Sequence, residues 1–158
     1  MFNNILKYFF RKPKLIVLAE KNRGAIGEMA IKVLGRDFNL KKEILFVDKI
    51  READLAGKEH VIGEFGREDI GRIKEKNLVP VLSYGFKESS DVWISDLKQN
   101  NGTTFKINYQ GKSVPVWLES SSQEEINSVL AAISIGLVSG LNLVEISQAL
   151  GSPGEAMR

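Results

Sequence analysis

The segment LIVLAEKNRGAIGEMAIKVL, residues 15 to 34, sets a short apolar run, a polar loop with two glycines and a helix-like pattern in succession. Strand, loop and helix in that order can hold a phosphate. Glycines let backbone N–H groups turn inward, a lysine meets the β and γ phosphates, and a Ser or Thr hydroxyl binds magnesium. In Glu20-Lys21-Asn22-Arg23-Gly24-Ala25-Ile26-Gly27 the glycines are present, but the Lys–Ser/Thr pair is not. No hydroxyl lies between Ala19 and Ala30, and Glu20 puts a negative charge where a phosphate would approach. Lys21, Asn22, Arg23 and Gly24, beside the open N–H groups of a helix start, are the candidates for a residual anion site. The favoured reading is a tight structural turn from strand to helix. No cofactor is expected; ATP and magnesium enter only if this altered loop still binds nucleotide.

Other reactive groups are sparse. Glu64, Glu68 and Asp69, around the turn Gly63-Glu64-Phe65-Gly66-Arg67, are the carboxylates closest to a metal-ligand grouping. Carboxylates at a helix start are commonly caps and dipole partners, and that is how they are read. His60 is the only histidine and has no orienting partner or nucleophile near it in sequence, so it reads as a strand residue. With no cysteine there is no disulfide, thiolate metal site or cysteine nucleophile, which suits a cytoplasmic location. No catalytic residue and no metal ligand is assigned.

The chain has 158 residues, 43% hydrophobic and 27% charged, enough for one ordinary core. Its net charge of +2 is too small to imply a nucleic-acid partner. No apolar run reaches the roughly 20 residues that span a bilayer. The opening MFNNILKYFFRK places apolar residues before its charges, the reverse of a secretory signal. Residues 1–12 read as an N-terminal amphipathic helix packed on its own domain, with contact to a membrane surface as the less favoured alternative.

The elements that would position these residues alternate. After Pro13, the short run from Lys14 to Ala19 is β-branched in part and unalternating, as a strand buried on both faces would be. Ile26, Met29, Ala30, Val33 and Leu34 follow at helical spacing, with Asn22 as a cap and Gly35 as a stop. Residues 43–47 and 60–62 read as strands, 67–76 as a helix, and 78–84 as a strand that Pro80 marks as an edge or as irregular at its start. From Gly85 the period changes: residues 91–97, 103–109 and 113–118 read as strands joined by the turns Asn100-Asn101-Gly102 and Gln110-Gly111. Ser121 and Ser122 before Glu124 and Glu125, and Asn142 before Glu145, are capping-box signatures for two closing helices. The fold class is α/β: a mainly parallel sheet with flanking helices plus a small three-stranded antiparallel meander. The organisation expected is a core at 13–150, divided into an α/β part (13–85), the meander (86–119) and helices (120–150), then a hinge-like tail at 151–158.

This order, with VLSYGFKESSDVWISDL, NNGTTFKINYQGKSVPVWL, EINSVLAAISIGLVSGLNLVEISQAL and the PG..MR ending, resembles the ATP-binding central domain of the Mur ligases. The likeness is greatest to the ligase that adds D-alanyl-D-alanine to the UDP-N-acetylmuramoyl tripeptide. It covers Val79 to Arg158 well and Met1 to Phe38 in outline. The resemblance implies ATP-driven amide-bond formation through an acyl phosphate, and against that pattern this chain departs at several points. Residues 35–78 stand where the family has a longer, metal-binding segment. At the helix after the meander the family shows His-Asn, two residues, then Asn; here Gln123 and Glu124 replace the first two and Asn127 matches the last, making Asn127 a nucleotide-facing candidate by resemblance. The chain stops where the family's hinge begins, so the expectation is a reduced domain without its C-terminal and UDP-binding partners.

The resulting expectation is a non-catalytic binding or interaction module related to bacterial peptidoglycan precursor synthesis, with cell-wall synthesis proteins or a second copy of the chain as partners. The alternative is an ATP-dependent muramoyl-peptide ligase subunit completed by a separate C-terminal domain.

Overall fold

The computed structural model describes residues 15–18, 22–34, 43–119 and 122–151. The expected N-terminal helix at 1–12, Lys21, the Gly35 stop and most of the 151–158 tail lie outside the described residues. The elements run β1 (Leu15–Leu18), α1 (Arg23–Leu34), β2 (Ile44–Val47), a 3-10 turn (Glu52–Leu55), β3 (His60–Glu64), α2 (Glu68–Lys76), β4 (Val81–Gly85), β5 (Val92–Gln99), β6 (Thr103–Tyr109), β7 (Lys112–Leu118), α3 (Gln123–Val138) and α4 (Leu143–Leu150). They build one seven-stranded sheet in the order β2-β1-β3-β4-β5-β6-β7. β1 to β4 are mutually parallel, and β5, β6 and β7 form an antiparallel meander. The fold is thus the α/β arrangement expected from the sequence.

The unalternating apolar strands are explained by two covers. Ile44, Phe46, Ile62, Leu82 and Tyr84 pack with α1, α3 and α4 on one face. Their sequence neighbours Leu45, Val47, Val61 and Val81 pack with Ile50, Leu55, Ile70 and Ile73, beneath the 3-10 turn and α2. Because successive side chains in a strand point to opposite faces, such strands carry apolar residues at consecutive positions. Among the described residues the meander is covered only on its α3 and α4 side, through Val92, Ile94, Phe105, Ile107 and Val116. The clean alternation of β6, with Lys106 exposed and Asn108 half-buried on the other face, follows from that.

The meander is continuous with the parallel sheet. β5 runs parallel to β4, but the two pair only through Tyr84 with Val92 and Gly85 with Trp93. The short loop between them is pinned by a reciprocal pair. Asp91 Oδ2 accepts from the Ser83 backbone N–H at 2.8 Å and from its hydroxyl at 3.1 Å, and Ser83 Oγ accepts from the Asp91 N–H at 3.1 Å. β4 is therefore an inner strand, between β3 and β5, and not an edge. Pro80 sits just before it, where its missing N–H costs nothing, and its carbonyl accepts from Val61 N–H at 2.9 Å.

Both closing helices start as their capping signatures indicate. Ser122 Oγ accepts from Glu125 N–H at 3.3 Å. Asn142 and Glu145 form a full reciprocal box, at 2.9 and 3.2 Å. Among the described residues no helix is long and apolar enough to cross a membrane.

Buried Ser90 has a hydroxyl with no hydrogen-bond partner, held where a Cβ on Gly85 would meet it at 2.9 Å. Ser90→Ala removes an unsatisfied group and is expected to leave stability within about 1 kcal/mol of the parent or above it. A thermal melt that falls by more than that would show the hydroxyl to be satisfied in solution.

Candidate functional site

The parallel strand order β2-β1-β3-β4 reverses direction at β1 and β3. α1, after β1, lies on one face of the sheet, and α2, after β3, on the other. Loops that leave adjacent strands toward opposite faces open a crevice at the carboxyl ends of those strands, where open α/β sheets bind ligands. Four segments meet there: Asn22-Arg23 at the start of α1, Asp48 after β2, Phe65-Gly66-Arg67 after β3, and Gly85 at the end of β4.

Asn22 has φ 68°, a left-handed conformation that asparagine tolerates. Its carbonyl accepts from Ile26 N–H at 3.0 Å, opening α1. Arg23 is the first helical residue, and its Nη2 lies 2.6 Å from Asp48 Oδ1. Asp48 is gripped from the other face as well, since Arg67 Nη2 donates to its backbone carbonyl at 2.6 Å. Arg67 in turn places Nε 3.3 Å from Asp69 Oδ1. The chain Arg23-Asp48-Arg67-Asp69 therefore ties the start of α1, the end of β2 and the start of α2 together across the crevice.

Burial divides this chain of charges. Asp48 and Arg23 side chains are 72% and 46% exposed, so their ion pair is worth about 0–1 kcal/mol. Asp69 is only 7% exposed. Burial alone would raise its carboxyl, but the N–H of Ile50, the Arg67 guanidinium and the N–H of Ile70 outweigh it and hold the group below its ordinary value.

Tyr84, at the end of β4 beside Glu64, is pushed up to about 12. Burial is the main cause and the Glu64 charge the second, with Arg67 opposing both. A phenol whose folded value is raised stabilises the fold fully below its unfolded value near 10, and that contribution is lost as pH rises toward 12. Ultraviolet titration is expected to show a tyrosine step near pH 12, and Tyr84→Phe should remove that step. A titration that is complete near pH 10 would contradict this assignment.

Of the residues singled out from sequence, Asn22, Arg23 and Gly24 are brought together at the α1 start, all exposed. Lys21 lies outside the described residues. Asn127 is half-buried in the second turn of α3, the helix that packs on α1, β3 and β4. Glu64 and Glu68 are exposed, whereas Asp69 is turned to backbone N–H groups and Arg67. Among the described residues no group of three carboxylates or histidines is placed to hold a metal ion. His60 begins β3, at the opposite end of the strand from the crevice. Two members, Asp48 and Arg67, were not picked out from sequence. A charged residue directly after a strand was the available signal, and such residues are ordinary in loops.

No family model matches this chain, and no curated protein sequence matches it. Solved structures do. One is a UDP-N-acetylmuramoyl-L-alanyl-D-glutamate–2,6-diaminopimelate ligase, similar at TM-score 0.68 and 11% identity over 96% of this chain and 50% of that one. MurF from Acinetobacter baumannii is similar at TM-score 0.62 and 14% identity, over 87% and 45% respectively. A pseudomurein peptide ligase type C from Methanothermus fervidus is similar at TM-score 0.59 and 13% identity, over 94% and 51%. The chain spans about half the length of these structures. At such identities the likeness is one of fold, and the chain has the α/β fold of a Mur-ligase-like central domain.

Proposed function

We propose that this chain is a non-catalytic binding or interaction module related to peptidoglycan precursor synthesis, built on a Mur-ligase-like domain whose phosphate loop is degenerate. The observation that carries the reading is the charge chain across the crevice. Arg23, a cation the loop would need for a phosphate, is engaged by Asp48 at 2.6 Å, and Asp48 adds negative charge beside the start of α1. The loop residues support it, since they include neither the lysine–hydroxyl pair nor any hydroxyl between Ala19 and Ala30. Positioned phosphate-binding groups are the main catalytic equipment of phosphoryl transfer. A crevice whose loop cation is already paired, without a phosphate-binding lysine and hydroxyl, is a scaffold for contacts with other proteins, for which cell-wall synthesis proteins are the first candidates.

Thermal unfolding with millimolar Mg-ATP, and with ADP and inorganic phosphate as controls, tests this. Ligand at about 100 times its dissociation constant would add roughly 2.7 kcal/mol, a rise of several degrees for a domain of this size. The expected result is no ATP-specific rise. An ATP-specific rise abolished by Arg23→Ala would overturn the reading and favour a ligase subunit that works with a separate C-terminal domain.

The Arg23–Asp48 pair also supports a smaller expectation. Asp48→Asn should cost less than about 1 kcal/mol in urea denaturation, because the pair is exposed. A larger cost would mean that the pair is a structural clamp and not a local neutralisation.

A further inference from the structure

Beside the crevice, and sharing Asp69 with it, a cavity of about 230 Å³ opens on the α2 side of the sheet, bounded by the segment after β2, the 3-10 turn and α2. Its floor is apolar and fixed: Ile50, Leu55 and Ile73 are 7%, 9% and 5% exposed. Ile50 is further held by its N–H, which donates to Asp69 Oδ2 at 3.2 Å. The rim is basic, with Lys49, Arg51 and Arg72 all exposed around the opening.

The two carboxylates at this cavity are already engaged. Glu52 Oε1 lies 3.4 Å from Lys76 Nζ, and Asp69 serves Arg67 and the N–H groups of Ile50 and Ile70. Lys49, Arg51 and Arg72 therefore present three positive charges with no carboxylate partner among the described residues. Three cations around an apolar floor favour a ligand with an apolar body and a negative charge. Arginine in particular matches carboxylate and phosphate with paired N–H donors. The volume lies below the roughly 300–1,000 Å³ typical of drug-sized ligands, so the ligand must be small.

We infer that this cavity binds a small organic anion, its compact apolar body seated on Ile50, Leu55 and Ile73 and its single carboxylate or phosphate held by Lys49, Arg51 and Arg72. The site contains neither Arg23 nor Asp48 and stands or falls apart from the reading of the crevice.

The test uses the intact chain with phenylphosphate and benzoate as probes, which separate the two headgroups. Inorganic phosphate supplies charge without a body, and benzyl alcohol a body without charge. Titration followed by amide chemical shifts should show saturable binding of at least one aromatic anion, centred on Ile50, Leu55 and Ile73. Its dissociation constant should rise about tenfold in Arg72→Glu, a change at an exposed residue whose folding is checked by circular dichroism, and should rise with salt. Binding no tighter than that of inorganic phosphate or benzyl alcohol, shifts centred elsewhere, or an affinity untouched by Arg72→Glu would overturn the inference.

Discussion

Asp69→Ala is expected to lower the unfolding free energy by about 3 kcal/mol, read by urea denaturation through the fluorescence of the half-buried Trp93 and Trp117. The carboxylate is 7% exposed and carries three bonds: Ile50 N–H at 3.2 Å, Ile70 N–H at 3.0 Å and Arg67 Nε at 3.3 Å. Alanine leaves the Ile50 donor buried without a partner and the Arg67 guanidinium, itself 21% exposed, without its carboxylate. Removing one member of such a set costs more than the set contributes net, because the remaining groups keep their desolvation penalty. Asp69→Asn preserves one acceptor oxygen and should recover part of the loss.

The same residue predicts an acid signature. The folded carboxyl lies below its ordinary value of 3.8. As pH falls, the unfolded chain takes up the proton first, so stability declines. The contribution is complete above about pH 5 and drains as pH passes down through the folded value. In Asp69→Ala this part of the acid limb should flatten. An acid limb of unchanged slope, or a loss below about 1 kcal/mol, would mean that water replaces the carboxylate and that the crevice is wetter than its burial indicates.

Much of this architecture was legible because local chemistry and tertiary burial agree. β6 falls at Thr103–Tyr109, as its alternation indicates, since one face is buried and, among the described residues, the other is not. The turns on either side of it use residues at positive φ, Asn101 and Gly102 before it and Gln110 and Gly111 after it, which is the backbone that tight hairpins require. The Ser122 cap and the Asn142–Glu145 capping box are likewise local devices read over four residues. What was not legible is non-local. The union of the meander with the parallel sheet rests on two residue pairs and on the Ser83–Asp91 bonds, and nothing in the spacing of Ser83 and Asp91 distinguishes them from loop residues. The 3-10 turn Glu52–Leu55 is a short segment that covers Val61 and Val81, below the length at which periodicity identifies a helix. The site divides in the same way. The altered loop could be read residue by residue, whereas Asp48 and Arg67 gain their meaning only when the strand order sets the end of β2 beside the starts of two helices on opposite faces.

Gly136→Ala is the second change with a large expected effect, and it joins the core to the site. In the middle of a helix this substitution normally gains up to about 1 kcal/mol. Here a Cβ would stand 2.7 Å from Val33 Cγ1 and 3.3 Å from Ile146 Cδ1, so α3 is wedged away from α1 and α4. Overpacking of this kind costs about 1–3 kcal/mol, and a net loss of about 1–2 kcal/mol is expected. Val33→Ala opens space at the same contact and costs stability alone, but in the double variant the new methyl occupies the room the valine vacates. The double variant should therefore be more stable than the sum of the two losses by about 1 kcal/mol, a coupling available only to side chains in contact. Val33 lies in the last turn of the 12-residue α1 whose first residue is Arg23. If α1 moves as a rigid rod, Gly136→Ala also shifts Arg23 away from Asp48, and the small stability cost of Asp48→Asn should disappear in the single variant and return in the double. Simple additivity of the two losses would mean that α1 and α3 adjust independently, and the start of α1 would then be positioned by its own charge pairs rather than by the core beneath it.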